Sequence, residues 1–289
     1  MTASARTAAT SHALAPDAPA GGLSRRALLA GAAGAGALVI AGRARAQAPS
    51  LNLDVPYVPT PQQVVDRMLE LAKVSGKDFV MDLGCGDGRM LVTAASKFGA
   101  RGFGVDLNPQ RITEARENAK KANVADKVSF DVKNLFETSI KDADVLTMYL
   151  LPSVNLQLRP RILEEMKPGS RIVSHAFNMG EWEPDVAENV DGRNVFFWLV
   201  PANVGGKWTI NEGGRAVNVE LKQQFQRAEG TASAAGKSGK AQARINGAEV
   251  RLTVEIDGQS KLYAGRVSAN GALAPIAGEG AQGWTASRG

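Results

Sequence analysis

A run of glycines between a short apolar strand and a helix constrains this chain more than any other feature. Val80-Met81-Asp82-Leu83-Gly84-Cys85-Gly86-Asp87-Gly88-Arg89 reads as strand, turn, helix. Glycine at 84, 86 and 88 allows a tight turn and lets a ligand approach bare backbone. Asp106 stands 22 residues beyond Gly84, at the end of the next expected strand. A carboxylate there can accept hydrogen bonds from both hydroxyls of a ribose. The turn lacks the Gly-Lys-Ser/Thr that a phosphate-binding P-loop needs. It matches a dinucleotide fingerprint imperfectly, being Gly-x-Gly-x-Gly, and Asp82 would repel a pyrophosphate. A ligand with a cationic amino group suits Asp82 better.

Elements alternate around this turn. Val64, Val65, Met68, Leu69 and Ala72 recur at helical spacing and predict a helix over 61–73. Strands are expected at 79–83, 102–106, 127–132, 144–150 and 171–177, with helices over 90–97, 109–122 and 154–166. Segments 194–200 and 207–210 are candidate sixth and seventh strands. This pattern predicts an α/β fold, a doubly wound and mainly parallel seven-stranded sheet with helices on both faces. After about 210 helical periodicity disappears. Segments 216–226, 241–245, 248–256 and 260–268 alternate polar and apolar residues, and Asp257-Gly258 and Asn270-Gly271 are hairpin signals. The Gly-, Ala- and Ser-rich stretch 228–240 reads as a mobile loop. The expected division is 1–46, 47–210 and 211–289, the last a small antiparallel β domain.

Residues 1–46 read as a targeting segment. Ser24-Arg25-Arg26-Ala27-Leu28-Leu29 has the twin-arginine export pattern, an apolar stretch runs to Ala41, and Ala44-Arg45-Ala46 offers a cleavage site before Gln47. The stretch is short for a membrane span of ~20 residues. The expected location is the periplasm, with an inner-membrane anchor as the alternative and membrane contact only through an uncleaved signal. Most of the formal net charge of +5 sits in this segment; 47–205 carry net −3 and 206–289 net +4. Bulk charge therefore gives little case for a nucleic-acid partner. One cysteine and two histidines exclude a multi-Cys zinc site and a His-rich centre, so no metal is expected.

The stretch 57–210 resembles the class I, seven-stranded Rossmann-like S-adenosyl-L-methionine-dependent methyltransferases. Tyr57-Val58-Pro59-Thr60-Pro61, the glycine turn and Tyr149-Leu150-Leu151-Pro152 are similar to a narrower group. That group comprises bacterial relatives of the mitochondrial protein-lysine methyltransferases acting on the ADP/ATP translocase and on ATP synthase subunit c. The resemblance implies S-adenosylmethionine as cofactor, whose ammonium matches the expectation for Asp82. It implies that Gly84, Gly86 and Gly88 floor the methionine moiety, Asp82 reaches its amino group and Asp106 binds ribose. Asn134 and Leu135 would sit beside adenine, with the Asn134 side chain facing it. Tyr149 becomes the candidate catalytic residue, with Leu150 and Pro152 on the acceptor rim. Tyr57 and Thr60 would close the site from the N-terminal side.

Methyl transfer from a sulfonium is an in-line displacement, so alignment and exclusion of water matter more than an acid–base dyad. The favoured acceptor is a protein lysine, which must be neutral to react. A small-molecule acceptor, covered by the loop 180–192 and the β domain, is the second reading. A non-catalytic binding module is the third. Cys85 reads as a turn residue and His175 as a hydrogen-bonded core histidine, with general base as its alternative. Trp182, Trp198 and Trp208 read as core or interface residues.

Overall fold

The computed structural model describes residues 57–268 and 270–289; residues 1–46, expected to be an export signal, and the stretch 47–56 lie outside the described residues. Five strands build the parallel part of the first sheet: β1 (Phe79–Leu83), β2 (Arg101–Asp106), β3 (Val128–Val132), β4 (Val145–Met148) and β5 (Arg171–His175). Central strands are covered on both faces and need apolar side chains throughout. Accordingly β4 is buried along its whole length and β1 from Val80 onward. Four helices cover the sheet: α1 (Gln62–Leu71), α2 (Arg89–Phe98), α3 (Pro109–Lys121) and α4 (Pro152–Glu165). Local chemistry sets their starts. Asn108 caps α3 by accepting from the Gln110 N–H at 2.9 Å, with Pro109 at the first helical position.

Two antiparallel strands complete this sheet, β6 (Val186–Val190) and β7 (Arg193–Leu199), giving the order β3-β2-β1-β4-β5-β7-β6. The order reverses between β1 and β4, and all five parallel strands point their carboxyl ends to one edge. A ligand crevice belongs there. The seventh strand differs from expectation. Segment 207–210 is not in this sheet, and β6 arises inside the stretch 180–192 expected as a covering loop. β6 is an edge strand with no fully buried residue, so its sequence carries no core signal. A bidentate pair from Arg67 to Glu188, both bonds 2.7 Å, ties it to α1.

The second sheet holds β8 (Gly206–Glu212), β9 (Arg215–Gln224), β10 (Arg227–Ala234), β11 (Lys237–Asn246), β12 (Glu249–Ile256), β13 (Gln259–Val267), β14 (Leu273–Gly280) and β15 (Trp284–Arg288). All pairings are antiparallel, in the order β14-β13-β12-β11-β10-β9-β8-β15, and the edge strands β14 and β15 approach each other. The first sheet thus ends at Leu199 and the second begins at Gly206, so a cut at 210 falls inside β8. The expected loop 228–240 is instead the hairpin β10–β11. Its small residues imitate loop composition but obey a period of two. Ala228, Ala232, Ala241 and Ala243 face the core with Trp208 and Trp284, while polar residues face out. The turn itself is Ala235-Gly236, both at positive φ.

An aromatic contact from the β domain packs against the core of the first sheet. Phe225, at the tip of the β9–β10 hairpin, stacks on Trp182 at 5.9 Å, and Trp182 packs on Trp198 at 6.1 Å. The Arg159 guanidinium lies 5.2 Å from the Phe225 ring centre, and Gln226 Nε2 donates to the Glu183 carbonyl at 2.8 Å. Phe225→Ala should lower unfolding stability by about 2 kcal/mol, below the ~3–5 kcal/mol of a fully buried phenylalanine because this ring is only half-buried. Chemical denaturation of the purified chain reads this directly, and an unchanged midpoint would contradict the contact's importance.

Candidate active site

The turn Gly84–Gly88 is bonded to the end of β2. The N–H groups of Gly84 and Cys85 both donate to the Val105 carbonyl at 2.9 Å. Asp106 Oδ2 accepts from the Gly86 N–H at 3.0 Å, and Oδ1 accepts from Asn108 N–H at 2.8 Å. The carboxylate plane is thereby fixed, while each oxygen keeps a lone pair for a ligand hydroxyl. Gly86 has φ +51°, and a Cβ on it would overlap the Tyr57 ring. A side chain at 86 would therefore displace the strap Tyr57–Thr60 that crosses the turn.

A cleft opens at this sheet edge. It is lined by Tyr57, Thr60, Asp82, Gly84, Gly86, Asp106, Leu135, Tyr149 and Leu150 among the expected residues. Gly88, Asn134 and Pro152 do not line it. Gly88 is buried at φ +76°, where a Cβ would meet Ala115 and the Phe130 ring at 2.8 Å. It starts α2 and seats that helix against α3 and β3. Asn134 spends its side-chain oxygen on the Phe136 N–H at 2.9 Å, capping a short 3₁₀ turn Leu135–Glu137. Pro152 is exposed at the first position of α4.

Three carboxylates, Asp82, Asp87 and Asp106, and three cations, Arg89, Arg111 and Lys133, line the cleft. Asp82 is buried, and Oδ1 accepts from the Thr147 hydroxyl at 2.7 Å. Burial pushes its carboxyl from 3.8 up to about 7 against that hydrogen bond, and Asp106 and Asp87 push the same way. Between those values the folded state holds the extra proton. The contribution of Asp82 to stability therefore falls as pH rises from about 4 to about 7. A cationic ligand group reverses this cost. Asp87 is paired with Arg89 through Nη2 at 2.6 Å and Nε at 2.9 Å. Burial also pushes the Cys85 thiol well up, so it stays protonated.

Aromatic rings back the cleft wall at Tyr149. The Tyr149 ring lies 3.9 Å from the His175 ring and 6.4 Å from Phe177. His175 is buried, and burial with the Arg193 charge holds its imidazole down at about 4. Its Nδ1 lies 3.0 Å from Thr60 Oγ1. Asn155, buried on α4, donates to the Phe177 and Asn178 carbonyls at 3.3 and 3.2 Å. Arg89, Arg111, Lys133 and Met148 also line the cleft and were not singled out from sequence. Thr147 and Asn155 are polar residues at core positions of β4 and α4, which is the one signal that could have marked them.

The sheet order, the glycine turn and the ribose-ready carboxylate define a Rossmann-like fold that holds a nucleoside cofactor at its switch point. Residues 82–186 match the family model described as the ANTKMT methyltransferase domain. The chain is 49% identical over 142 residues to a protein-lysine N-methyltransferase of Saccharolobus islandicus, covering 49% of this chain and 88% of that protein. It is 36% identical over 136 residues to the adenine nucleotide translocase lysine N-methyltransferase of Mus musculus, spanning 46% of this chain and 58% of that one. Among solved structures, an RNA methyltransferase of Salinibacter ruber in complex with S-adenosyl-L-homocysteine aligns with TM-score 0.50 and 50% identity. That alignment covers 51% of this chain and 96% of the other. The chain belongs to the class I S-adenosylmethionine-dependent methyltransferases.

The cofactor fits the donor set. Buried Asp82 in the lining would suit the cofactor's cationic group, Asp106 has free acceptor sites, and Leu135 and Met148 supply apolar surface. When bound, S-adenosylmethionine supplies a methyl group on a positively charged sulfur.

Two outcomes follow from this geometry. Asp106→Ala removes the fixed acceptors and both backbone tethers, and should weaken cofactor binding by ~2–4 kcal/mol in calorimetry. Binding should also tighten as pH rises from 6.0 to about 7.5, as Asp82 loses its proton, with protons released to buffer. Asp82→Asn should flatten that dependence. A wild-type affinity independent of pH in this window would exclude Asp82 from the ammonium site.

Proposed function

We propose that this methyltransferase transfers its methyl group to the side-chain amine of a protein lysine. The observation that carries this is the Tyr149 ring in the lining of the cofactor cleft, backed by the rings of His175 and Phe177. An ammonium has no lone pair, so the acceptor must arrive or become neutral. A partly desolvated aromatic wall disfavours the charged amine and packs along its long apolar stem. Two relatives named as protein-lysine methyltransferases support the same acceptor.

In this reading Asp106 holds the ribose, Asp82 the amino group, Leu135 the adenine, and Gly84 and Gly86 lie under the methionine moiety. Tyr149 and Leu150 orient the acceptor, and the strap excludes water. RNA is the second reading, favoured by the name of the Salinibacter ruber structure. The net charge of −3 over 47–205 speaks against a polyanion there. The β domain, at net +4, serves to recruit an acidic protein surface. The twin-arginine pattern at 24–29 supports export of the folded protein to the periplasm with cofactor already bound. Changing Arg25 and Arg26 to Lys should then retain it in the cytoplasm.

The acceptor is tested by incubating the purified chain and a cell extract with methyl-labelled S-adenosylmethionine. Label is expected on lysine Nζ by mass spectrometry, resistant to ribonuclease and weakened by salt. Tyr149→Ala should lower the labelling rate roughly 10- to 100-fold with cofactor affinity nearly kept. Ribonuclease-sensitive label, or label only in small molecules, would overturn the lysine assignment.

A further inference from the structure

The strap Tyr57–Thr60 crosses the cofactor cleft without belonging to a helix or strand. Tyr57 and Val58 are 40% and 54% exposed, whereas Thr60 is buried. The strap is therefore gripped near its C-terminal end. Two groups grip it there. Arg89, already paired with Asp87 of the glycine turn, donates from Nη1 to the Thr60 carbonyl at 2.9 Å. The Thr60 hydroxyl meets His175 Nδ1, the last residue of β5, across 115 positions of sequence.

His175 also has a second contact. Its ring lies against Tyr149 at 3.9 Å and 40°. The backbone turns abruptly beyond it: Ala176 sits at φ +66°, a conformation that strains a residue with a Cβ. That turn brings Phe177 back beside Tyr149, and its carbonyl is held by Ser174 Oγ at 2.7 Å and by Asn155. One imidazole therefore touches the cover of the cofactor cleft through a nitrogen and the acceptor rim through its face.

We infer that His175 is a positioning residue with two separable duties: its hydrogen bond to Thr60 holds the strap closed over the cofactor, and its ring sets Tyr149 for the acceptor. The imidazole stays neutral through the physiological range, because burial and Arg193 disfavour its charged form. It serves as a fixed strut, and no proton passes through it. The inference rests on the cofactor cleft for its first duty and on the acceptor rim for its second.

The two duties predict opposite variants. His175→Phe keeps a ring beside Tyr149 and loses the hydrogen bond. His175→Asn keeps a polar group near the Nδ1 position and loses the ring. Thr60→Val removes the hydroxyl at constant shape, and Thr60→Ser keeps it. Calorimetry with S-adenosylmethionine on the full chain should show His175→Phe and Thr60→Val weakened about tenfold, and Thr60→Ser and His175→Asn within about threefold of wild type. The double variant His175→Phe, Thr60→Val should be no weaker than either single one, because both break the same link. In the labelling assay at saturating cofactor, His175→Asn should be about tenfold slower than His175→Phe, which keeps a ring beside Tyr149.

Packing alone makes a different pattern. It lowers the unfolding midpoint of the cofactor-free protein in all His175 variants and leaves the affinity of Thr60→Val at the wild-type value. That result, or additive losses in the double variant, overturns the inference. The affinity measurements need no acceptor, so they decide the strap's role independently of the lysine assignment. Wild-type protein that binds no S-adenosylmethionine would overturn both.

Discussion

The hydrogen bond between the Asp106 carboxylate and the Gly86 N–H is the tie on which the rest of the site depends. It joins the end of one strand to the turn after its neighbour, and so fixes where two ligand-binding surfaces meet. The turn has no side chains of its own at 84 and 86 to hold it in place. Its shape comes instead from the Val105 carbonyl, which takes two N–H groups, and from Asp106. The same bond orients the carboxylate, so that its free lone pairs face the cleft without a separate support. The strap can then lie on Gly86, because that residue presents only backbone. Cover, floor and ribose acceptor are thus set by one register between β1 and β2.

Around that tie the protein gathers three acids, Asp82, Asp87 and Asp106, in a space that water reaches only partly. Arg89 neutralises one of them and in doing so reaches the strap. Asp82 has no cation of its own among the described residues, and its raised proton affinity records the cost. A cationic ligand group placed beside Asp82 would remove that cost, while Arg111 and Lys133 line the same cleft.

The Rossmann-like sheet was legible because its signals are local. Apolar runs bounded by glycine, a strand-end acid and helical stripes each need only a short window. The departures have a common cause, which is that composition and location disagreed. Stretch 228–240 has loop composition but sits in a hairpin, since a curled sheet packs alanine on its inner face against large residues elsewhere. Strand β6 carries almost no apolar signal because it is an edge strand held by a salt bridge and backbone pairing. At the site, Asp82, Asp106 and Tyr149 could be read from strand ends. Gly88 and Asn134 stand within the right motifs but turn to helix packing and capping, a choice made by neighbours far off in sequence. The Thr60–His175 contact joins residues 115 positions apart and has no signature in either segment.

The aromatic plug between the two cores leaves one group unserved. Trp182 is fully buried between Trp198 and Phe225, and its indole N–H finds no acceptor. A buried donor without a partner costs about 1–3 kcal/mol. Withdrawing the hairpin tip would return that N–H to water, but only by giving up the Phe225 stack and the bonds from Gln226 and Arg227 to Glu183. The seam at Phe225 therefore carries a standing cost, which the rings on either side of the indole and the Ala202 to Gly247 backbone bond offset together.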